Sequence, residues 1–167
     1  QRLPHAERWA LAERLVQHAE DAADHNLPKM IWFAVEPLVM ENPTKALELA
    51  TRGAIPLVSQ FIARRATAGQ QLEVIASALG EARGNAIRQS LLEGMRDGLG
   101  SLGRREIVAP KNWGPVESGL LAADNTTLRN LTLQIGQLFG NAQAATAQLA
   151  ALRDPSTALE RRREILQ

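Results

Sequence analysis

Alanine and leucine dominate the chain and restrict it to a helical fold. The 167 residues include 27 Ala and 24 Leu, against 7 Val, 8 Ile, 3 Phe, 3 Trp and no Tyr. Strands favour β-branched and aromatic residues, whereas helices favour Ala, Leu, Arg, Gln and Glu. This composition predicts an all-α fold, and the length suits one domain with a buried core.

Prolines and glycines predict where the helices begin and end. Pro is well tolerated at the first helical position, and Gly often follows the last. Pro43 and Pro56 each precede an apolar pattern with helical spacing, and Gly53, Gly69 and Gly100 stand where such patterns stop. We expect helices near 4–23, 28–40, 43–52, 56–67, 70–82, 85–99, 125–138, 141–152 and 156–166, with a short helix near 116–122 left open.

The order of these segments suggests stacked helical hairpins. Segments that begin at 28, 56 and 85 are about one repeat apart, and each follows a more polar partner helix. We predict a single domain over 1–167, a HEAT/armadillo-like α-solenoid with an irregular loop at about 100–119. The alternative is a closed helical bundle. Since the sequence does not begin with Met, we also expect it to be a fragment or a trimmed product.

Glu36 is the most unusual carboxylate in the sequence. It lies in segment 28–40, whose apolar residues go nearly all the way round the helix, so we expect this segment to be buried on most sides. A carboxylate in such a helix is more often paired with Arg than catalytic. We predict a buried ion pair between Glu36 and Arg64 or Arg65. The alternative role for Glu36 is that of a general base.

Two further features are candidates for an interaction surface. Trp113 lies in the long loop among glycines and prolines, where it serves either as a recognition aromatic or as a plug between two repeats. Arg161, Arg162 and Arg163 form a basic cluster near the C-terminal end. Three consecutive arginines could contact phosphate, or they form a solvated face or a seam with whatever follows in a longer chain.

No constellation of residues points to catalysis. The absence of Cys excludes thiolate zinc sites, iron–sulfur clusters, a Cys nucleophile and covalently attached c-type haem. The gap between His18 and His25 is not a metal-ligand spacing, and Asp24 beside His25 is typical of capping at a turn. The sequence contains no phosphate loop or dinucleotide fingerprint. We expect no catalytic residue, metal or cofactor in this fragment.

The charge and hydropathy of the chain limit the classes of partner that we expect. The formal net charge is +1, with 19 Lys and Arg against 18 Asp and Glu, so we expect no nucleic-acid partner. The longest apolar run, residues 30–35, is far shorter than the ~20 residues that a membrane span needs, so we expect no membrane insertion. Flanking domains of the same chain, or another protein, remain as partners, and the oligomeric state is open.

Two segments resemble a large bacterial family. They are residues 24–39, with the sequence DHNLPKMIWFAVEPLV, and residues 55–65, with the sequence IPLVSQFIARR. Both are similar to the helical-repeat part of the planctomycete and verrucomicrobial membrane-bound dehydrogenase proteins, also called large haem-binding cytochrome-like proteins. The resemblance is strong over about 24–65 and loose elsewhere.

The resemblance implies a location rather than a chemistry. Members of that family combine a sugar-dehydrogenase-like β-propeller, HEAT-type repeats and a C-terminal c-type haem domain. The haem motif needs Cys, which this chain lacks, so no redox or substrate residue is carried over to any position here. The resemblance implies a helical spacer between the two other domains, in a protein exported to an extracytoplasmic (periplasmic) site.

Two classes of function follow from these observations. The first is a non-catalytic helical-repeat scaffold or interaction module. The second is an independent nucleic-acid-binding protein or enzyme, such as a HEAT-like DNA glycosylase. The second class requires a basic concave groove with aromatic side chains and an acidic residue at its centre. A contiguous Arg groove around an exposed carboxylate would therefore favour the second class.

Overall fold

The chain folds into helices, as the composition predicts. The computed structural model describes residues 3–103, 107–140, 149–155 and 157–165, and these ranges contain no strand. The helices are α1 (His5–Leu15), a short 3-10 helix (Ala19–Ala23), α2 (Leu27–Glu41), α3 (Pro43–Arg52), α4 (Pro56–Ala68), α5 (Leu72–Glu81), α6 (Asn85–Ser101), α7 (Trp113–Leu121), α8 (Thr126–Leu138) and α9 (Leu159–Ile165). Residues 149–153 are also helical, and the remainder of the helix predicted near 141–152 lies outside the described residues.

Local residues set the two ends of α3 and of α4. The Asn42 side chain accepts a hydrogen bond from the Lys45 backbone N–H at 3.0 Å, and Pro43 and Pro56 occupy the first turns of their helices. Gly53 and Gly69 stand at the C-terminal ends of α3 and α4. These signals act within a few residues of the chain, so the sequence predicts them well.

The first helix ends earlier than the sequence predicts. Instead of one helix over 4–23, α1 stops at Leu15 and the 3-10 helix follows. The Val16 carbonyl accepts a hydrogen bond at 2.6 Å from the N–H of Ala54, in the α3–α4 connection. The Gln17 side chain donates to the Arg52 carbonyl at 3.3 Å. These long-range bonds hold the chain in a non-helical turn.

The irregular loop is shorter than the predicted 100–119. Helix α6 continues through Gly100, which is not a helix stop, and ends at Ser101. Helix α7 then begins at Trp113, whose N–H donates to the Pro110 carbonyl at 2.9 Å. The connection therefore spans 102–112.

The helices pack in two series. Helices α2, α4, α6 and α8 pack successively against one another, and α3, α5 and α7 do the same. Each even-numbered helix also packs against the helix before it, so α1–α2, α3–α4, α5–α6 and α7–α8 form four hairpins. Among the described helices, extensive contacts join only neighbouring hairpins. The buried core runs between the two series, with Leu38, Ile62, Leu91 and Leu128 fully buried on the even-numbered helices.

Helices α4 and α6 cross in close contact. A Cβ atom placed on Gly98 would lie 2.6 Å from the Thr67 Cβ and 2.8 Å from the Arg64 carbonyl oxygen. A Cβ atom on Gly94 would overlap the Gln60 carbonyl oxygen. The two glycines therefore allow the backbones of α4 and α6 to meet directly, which explains their presence inside a helix.

Helix α2 is not buried on most sides, contrary to the expectation from its apolar residues. Its Ile31, Val35 and Leu38 side chains are buried, but Met30 is 64% exposed and Phe33 is 55% exposed. Helices α1, α3 and α4 cover the buried side. A pattern that is apolar all round cannot indicate which side the neighbours leave open.

Candidate functional site

The exposed side of α2 forms one wall of a crevice of about 490 Å³. It is lined by Lys29, Trp32, Phe33 and Glu36 of α2, Phe61, Arg64, Arg65 and Ala68 of α4, and Ser101 at the end of α6. We call this site the α2–α4 crevice. Both helices contribute residues at relative positions 0, 3, 4 and 7, which is the spacing of one helix face. Each face combines aromatic and charged side chains.

Two contacts across the α2–α4 crevice join its walls. The rings of Trp32 and Phe61 lie 5.5 Å apart between centroids, tilted by 49°. One turn along α2, the Glu36 Oε1 lies 4.0 Å from the Arg65 Nε. The Trp32 and Phe61 side chains are half-buried, and the side chains of the charged pair are a little less than half exposed.

The predicted ion pair is therefore present with Arg65, but the prediction that it is buried is wrong. The Glu36 side chain is 48% exposed and that of Arg65 is 43% exposed. Arg64 is exposed and forms no ion pair within the described residues. The reason is the orientation of α2, which turns Glu36 away from the core together with Phe33.

The cations of the α2–α4 crevice outnumber its carboxylate by three to one. Within the described part of the chain, the side chains of Lys29 and Arg64 have no hydrogen-bond or ion-pair partner. The Nε atom of Arg65 is buried and has no hydrogen-bond acceptor, since 4.0 Å to Glu36 is too long for a hydrogen bond. The crevice therefore carries unused donors and positive charge.

A second crevice, of about 770 Å³, lies between α6, α8 and α9, and we call it the α6–α8 crevice. The two crevices adjoin at the end of α6, where Gly100 lines one and Ser101 the other. The charged side chains of the α6–α8 crevice are Glu93, Arg96, Asp97, Arg161 and Glu164. This set has three carboxylates and two guanidinium groups. Carboxylates are therefore in excess here, whereas cations are in excess in the α2–α4 crevice.

The charges of the α6–α8 crevice satisfy one another. Arg96 donates to Asp97 at 2.8 Å, and Gln60 of α4 donates to the same carboxylate at 3.3 Å. Gln89 donates to Glu93 at 2.8 Å. The guanidinium group of Arg161 donates to Glu164 at 3.2 Å. This network connects neighbouring side chains and leaves few free donors.

Trp113 is not an exposed recognition residue. Its side chain is 3% exposed and packs edge to face against Phe139, with ring centroids 5.5 Å apart. Trp113 is the first residue of α7 and Phe139 follows α8, so the contact lies within the α7–α8 hairpin. The plug interpretation is right that the ring is buried, but this contact is not between two repeats. The sequence could not separate the two interpretations because flanking glycines and prolines indicate a loop whether or not its aromatic is buried.

The arginine cluster near the C-terminal end does not present one uniform basic surface. Arg161 pairs with Glu164, Arg162 donates to the Asp154 carbonyl oxygen, and Arg163 is exposed. Only one of the three thus points freely to solvent. None of the three lines the α2–α4 crevice.

The histidines and their acidic neighbours form pairs rather than a larger cluster. His5 lies 2.7 Å from Glu41, and His18 lies 2.9 Å from Glu20, whose carboxylate raises the pKa of His18. Among the described residues, no group of three or more His, Asp or Glu side chains is placed to hold a metal ion. No helix in the described ranges is long and apolar enough to cross a membrane.

Asp24 confirms the predicted capping chemistry. Its side chain accepts hydrogen bonds from the backbone N–H groups of Asn26 and Leu27, at 2.7 and 2.8 Å. These bonds fix the turn that leads into α2, and so set the position of one wall of the α2–α4 crevice. They also lower the pKa of the Asp24 carboxyl.

Sequence reasoning missed Lys29, Phe33 and Phe61 as parts of a site. The signal was available in the spacing, since Lys29, Phe33 and Glu36 fall on one face of a helix. Nearly all residues of the crevice also lie in the two segments, 24–39 and 55–65, that carry the family resemblance.

Comparisons with known proteins add no assignment for this site. No family model, curated protein or solved structure matches the chain.

Proposed function

We propose that this chain is a non-catalytic helical-repeat scaffold with a HEAT-like arrangement, and that the α2–α4 crevice is its interaction site. The observation that carries the proposal is that, among the helices that the structure describes, each hairpin packs extensively only against its neighbours. In a solenoid, each repeat buries its apolar face only against the adjacent repeats, whereas a closed bundle also joins its first and last helices.

The helix spacing supports the same proposal. Helices α2, α4 and α6 begin at Leu27, Pro56 and Asn85, so consecutive starts are 29 residues apart. Helices α3 and α5, at Pro43 and Leu72, are also 29 apart. The next step is 41 residues in both series, to α7 at 113 and α8 at 126, because α6 and the connection after it are longer. The 29-residue period of the first three hairpins is shorter than the ~40–47 residues of HEAT repeats, so these units would be compact.

The proposed partners follow from the family resemblance. A spacer of this kind would hold a β-propeller domain and a c-type haem domain in register, in an exported parent protein. Its own residues would then contribute binding surfaces rather than redox chemistry. The two segments that resemble the family are those that line the α2–α4 crevice.

One observation favours the second class of function. The α2–α4 crevice places a half-exposed carboxylate, Glu36, among three cations and three aromatic side chains. That combination is what a base-flipping enzyme requires. Against it, the adjoining α6–α8 crevice has an excess of carboxylates, so the positive charge of the α2–α4 crevice does not continue into it. A duplex would need cations distributed along its path.

An electrophoretic mobility assay with duplex DNA at low salt separates the two classes. The scaffold proposal predicts no discrete, saturable complex at micromolar protein. A saturable complex that is weakened by Lys29→Ala together with Arg64→Ala would favour the nucleic-acid class and overturn the proposal. Arg83→Ala is the matched control, because this exposed cation lies in the α5–α6 connection and outside the crevice.

A further inference from the structure

We propose that the α2–α4 crevice binds an acidic peptide segment that carries a bulky apolar side chain. This inference rests on the proposed function and names the class of partner that the crevice accepts. It is supported by three observations: the unpaired cations of the crevice, its exposed aromatic surface, and the excess of carboxylates in the adjoining α6–α8 crevice.

The cations provide the first argument. Lys29 and Arg64 have no partner among the described residues, and the buried Nε of Arg65 has no hydrogen-bond acceptor. A ligand carboxylate would accept charge-assisted hydrogen bonds from Lys29 and from the guanidinium group of Arg64, and such bonds are stronger than neutral ones. The single carboxylate of the crevice, Glu36, leaves a net excess of two positive charges.

The aromatic side chains provide the second argument. Phe33 is 55% exposed, and the neighbouring rings of Trp32 and Phe61, which contact each other, are half-buried. A volume of about 490 Å³ lies in the range of small ligand pockets and accommodates one or two side chains. Aromatic residues flanked by Arg are the residue types that contribute most to binding at protein interfaces. An apolar side chain of the ligand would therefore cover Phe33.

The distribution of charge favours a short peptide over a nucleic acid. In the adjoining α6–α8 crevice, both guanidinium groups, Arg96 and Arg161, are already paired with carboxylates. A polyanion that extended from the α2–α4 crevice into the α6–α8 crevice would leave the unpaired cations Lys29 and Arg64 and meet three carboxylates. A segment of a few acidic residues would end before it reached them.

Fluorescence anisotropy with a labelled peptide tests the inference on the whole chain. The probe is a seven-residue peptide with a central Trp flanked by Asp and Glu, and the two comparison probes replace Trp by Ala or all acidic residues by Lys. We expect the acidic Trp peptide to bind best. Lys29→Ala with Arg64→Ala should weaken its binding by about tenfold, since two exposed charge pairs are lost. Arg83→Ala should leave it unchanged.

Two further variants should change the affinity for the acidic Trp peptide in opposite directions. Glu36→Gln should strengthen binding of the acidic peptide by roughly two- to fivefold, because it removes a like charge from the crevice. Phe33→Ala should weaken binding of the Trp peptide and leave the weaker Ala peptide unaffected. Both side chains are largely exposed, so an unchanged urea midpoint should show that each variant folds.

The inference is overturned if wild type and the double cation variant bind the acidic Trp peptide equally, or if the Lys peptide binds as well as the acidic one. Tighter binding of a single-stranded oligonucleotide with the same number of charges would also overturn it. Failure of all peptides without any nucleic-acid binding would remove this inference alone, because the scaffold proposal depends on the packing of the hairpins.

Discussion

The carboxylate of Glu36 is half exposed, and this limits what its contact with Arg65 contributes to stability. Water screens an exposed pair, and holding two long side chains in place costs conformational entropy. The distance of 4.0 Å is also at the long end for an ion pair. The pair therefore contributes little to the stability of the fold. Its main effect is that Glu36 offsets part of the positive charge of the α2–α4 crevice.

We predict that Glu36→Ala changes the free energy of unfolding by less than about 1 kcal/mol. Urea denaturation measures it, and a double-mutant cycle with Arg65→Ala isolates the coupling between the two side chains. A coupling of about 3–5 kcal/mol, the magnitude expected for breaking a buried pair, would contradict the exposed geometry.

Asp24 predicts a pH dependence of stability. Two backbone N–H bonds lower the pKa of its carboxyl from the ordinary value of 3.8. The unfolded chain therefore binds a proton more readily than the folded chain in acid, so this contribution is present above pH 3.8 and is lost as the pH falls through the folded pKa.

The variant Asp24→Asn isolates the contribution of the carboxyl charge. Its amide oxygen can still accept the hydrogen bonds from Asn26 and Leu27, but the amide does not titrate in acid. We expect the wild-type urea midpoint to exceed that of Asp24→Asn at pH 7, and the difference to shrink below pH 3.8. A difference that stays constant over this range would show that the charge of Asp24 plays no part.

At the level of helices, the crossing of α4 and α6 determines how closely the second and third hairpins pack. Gly94 and Gly98 face Ala63 and Thr67 across a contact with no room for a methyl group. A glycine inside a helix costs up to about 1 kcal/mol relative to Ala, so close backbone packing must offset that cost.

We predict that Gly94→Ala and Gly98→Ala each destabilise the protein, by about 1–3 kcal/mol, because the added methyl group forces the helices apart. The matched control is Gly100→Ala in the same helix, where a Cβ meets nothing within 4 Å. That substitution should stabilise by about 0.5–1 kcal/mol. Thermal or urea unfolding would measure all three, and equal stabilisation by all three would refute the close crossing.

The helix boundaries show what the sequence can predict. The ends of α3 and the start of α4 depend on Asn42, Pro43, Gly53 and Pro56, which act locally, and both were predicted. The end of α1 depends on a bond between Val16 and Ala54, 38 residues apart in the chain, so no local signal revealed it.

The candidate site was predictable in the same partial way. Helical spacing places Lys29, Phe33 and Glu36 on one face of α2, which the sequence alone contains. Whether that face is covered depends on where α1, α3 and α4 pack. The all-round apolar pattern of the segment places Glu36 in the core, whereas the structure leaves it half exposed. The exposure of a face is a tertiary property that an all-round apolar pattern does not encode.

At the scale of the whole molecule, we propose that the hairpins form an open series. In such a series, stability is close to a sum of the repeats and their interfaces, so ends can open without the middle. A closed bundle of this size would unfold as one cooperative unit. The α4–α6 interface, the most extensive in the described chain, should then be the most protected part of the series.

Native-state hydrogen exchange on two conservative variants tests this claim most directly. Ile135 of α8 and Val35 of α2 are fully buried near opposite ends of the series. We predict that Ile135→Val accelerates exchange in α7 and α8 and spares α1 and α3, while Val35→Ala does the reverse, with α4 and α6 the slowest to exchange throughout. If either variant accelerates exchange equally in all of these helices, the chain unfolds as a closed unit and the account of an open helical-repeat scaffold is contradicted.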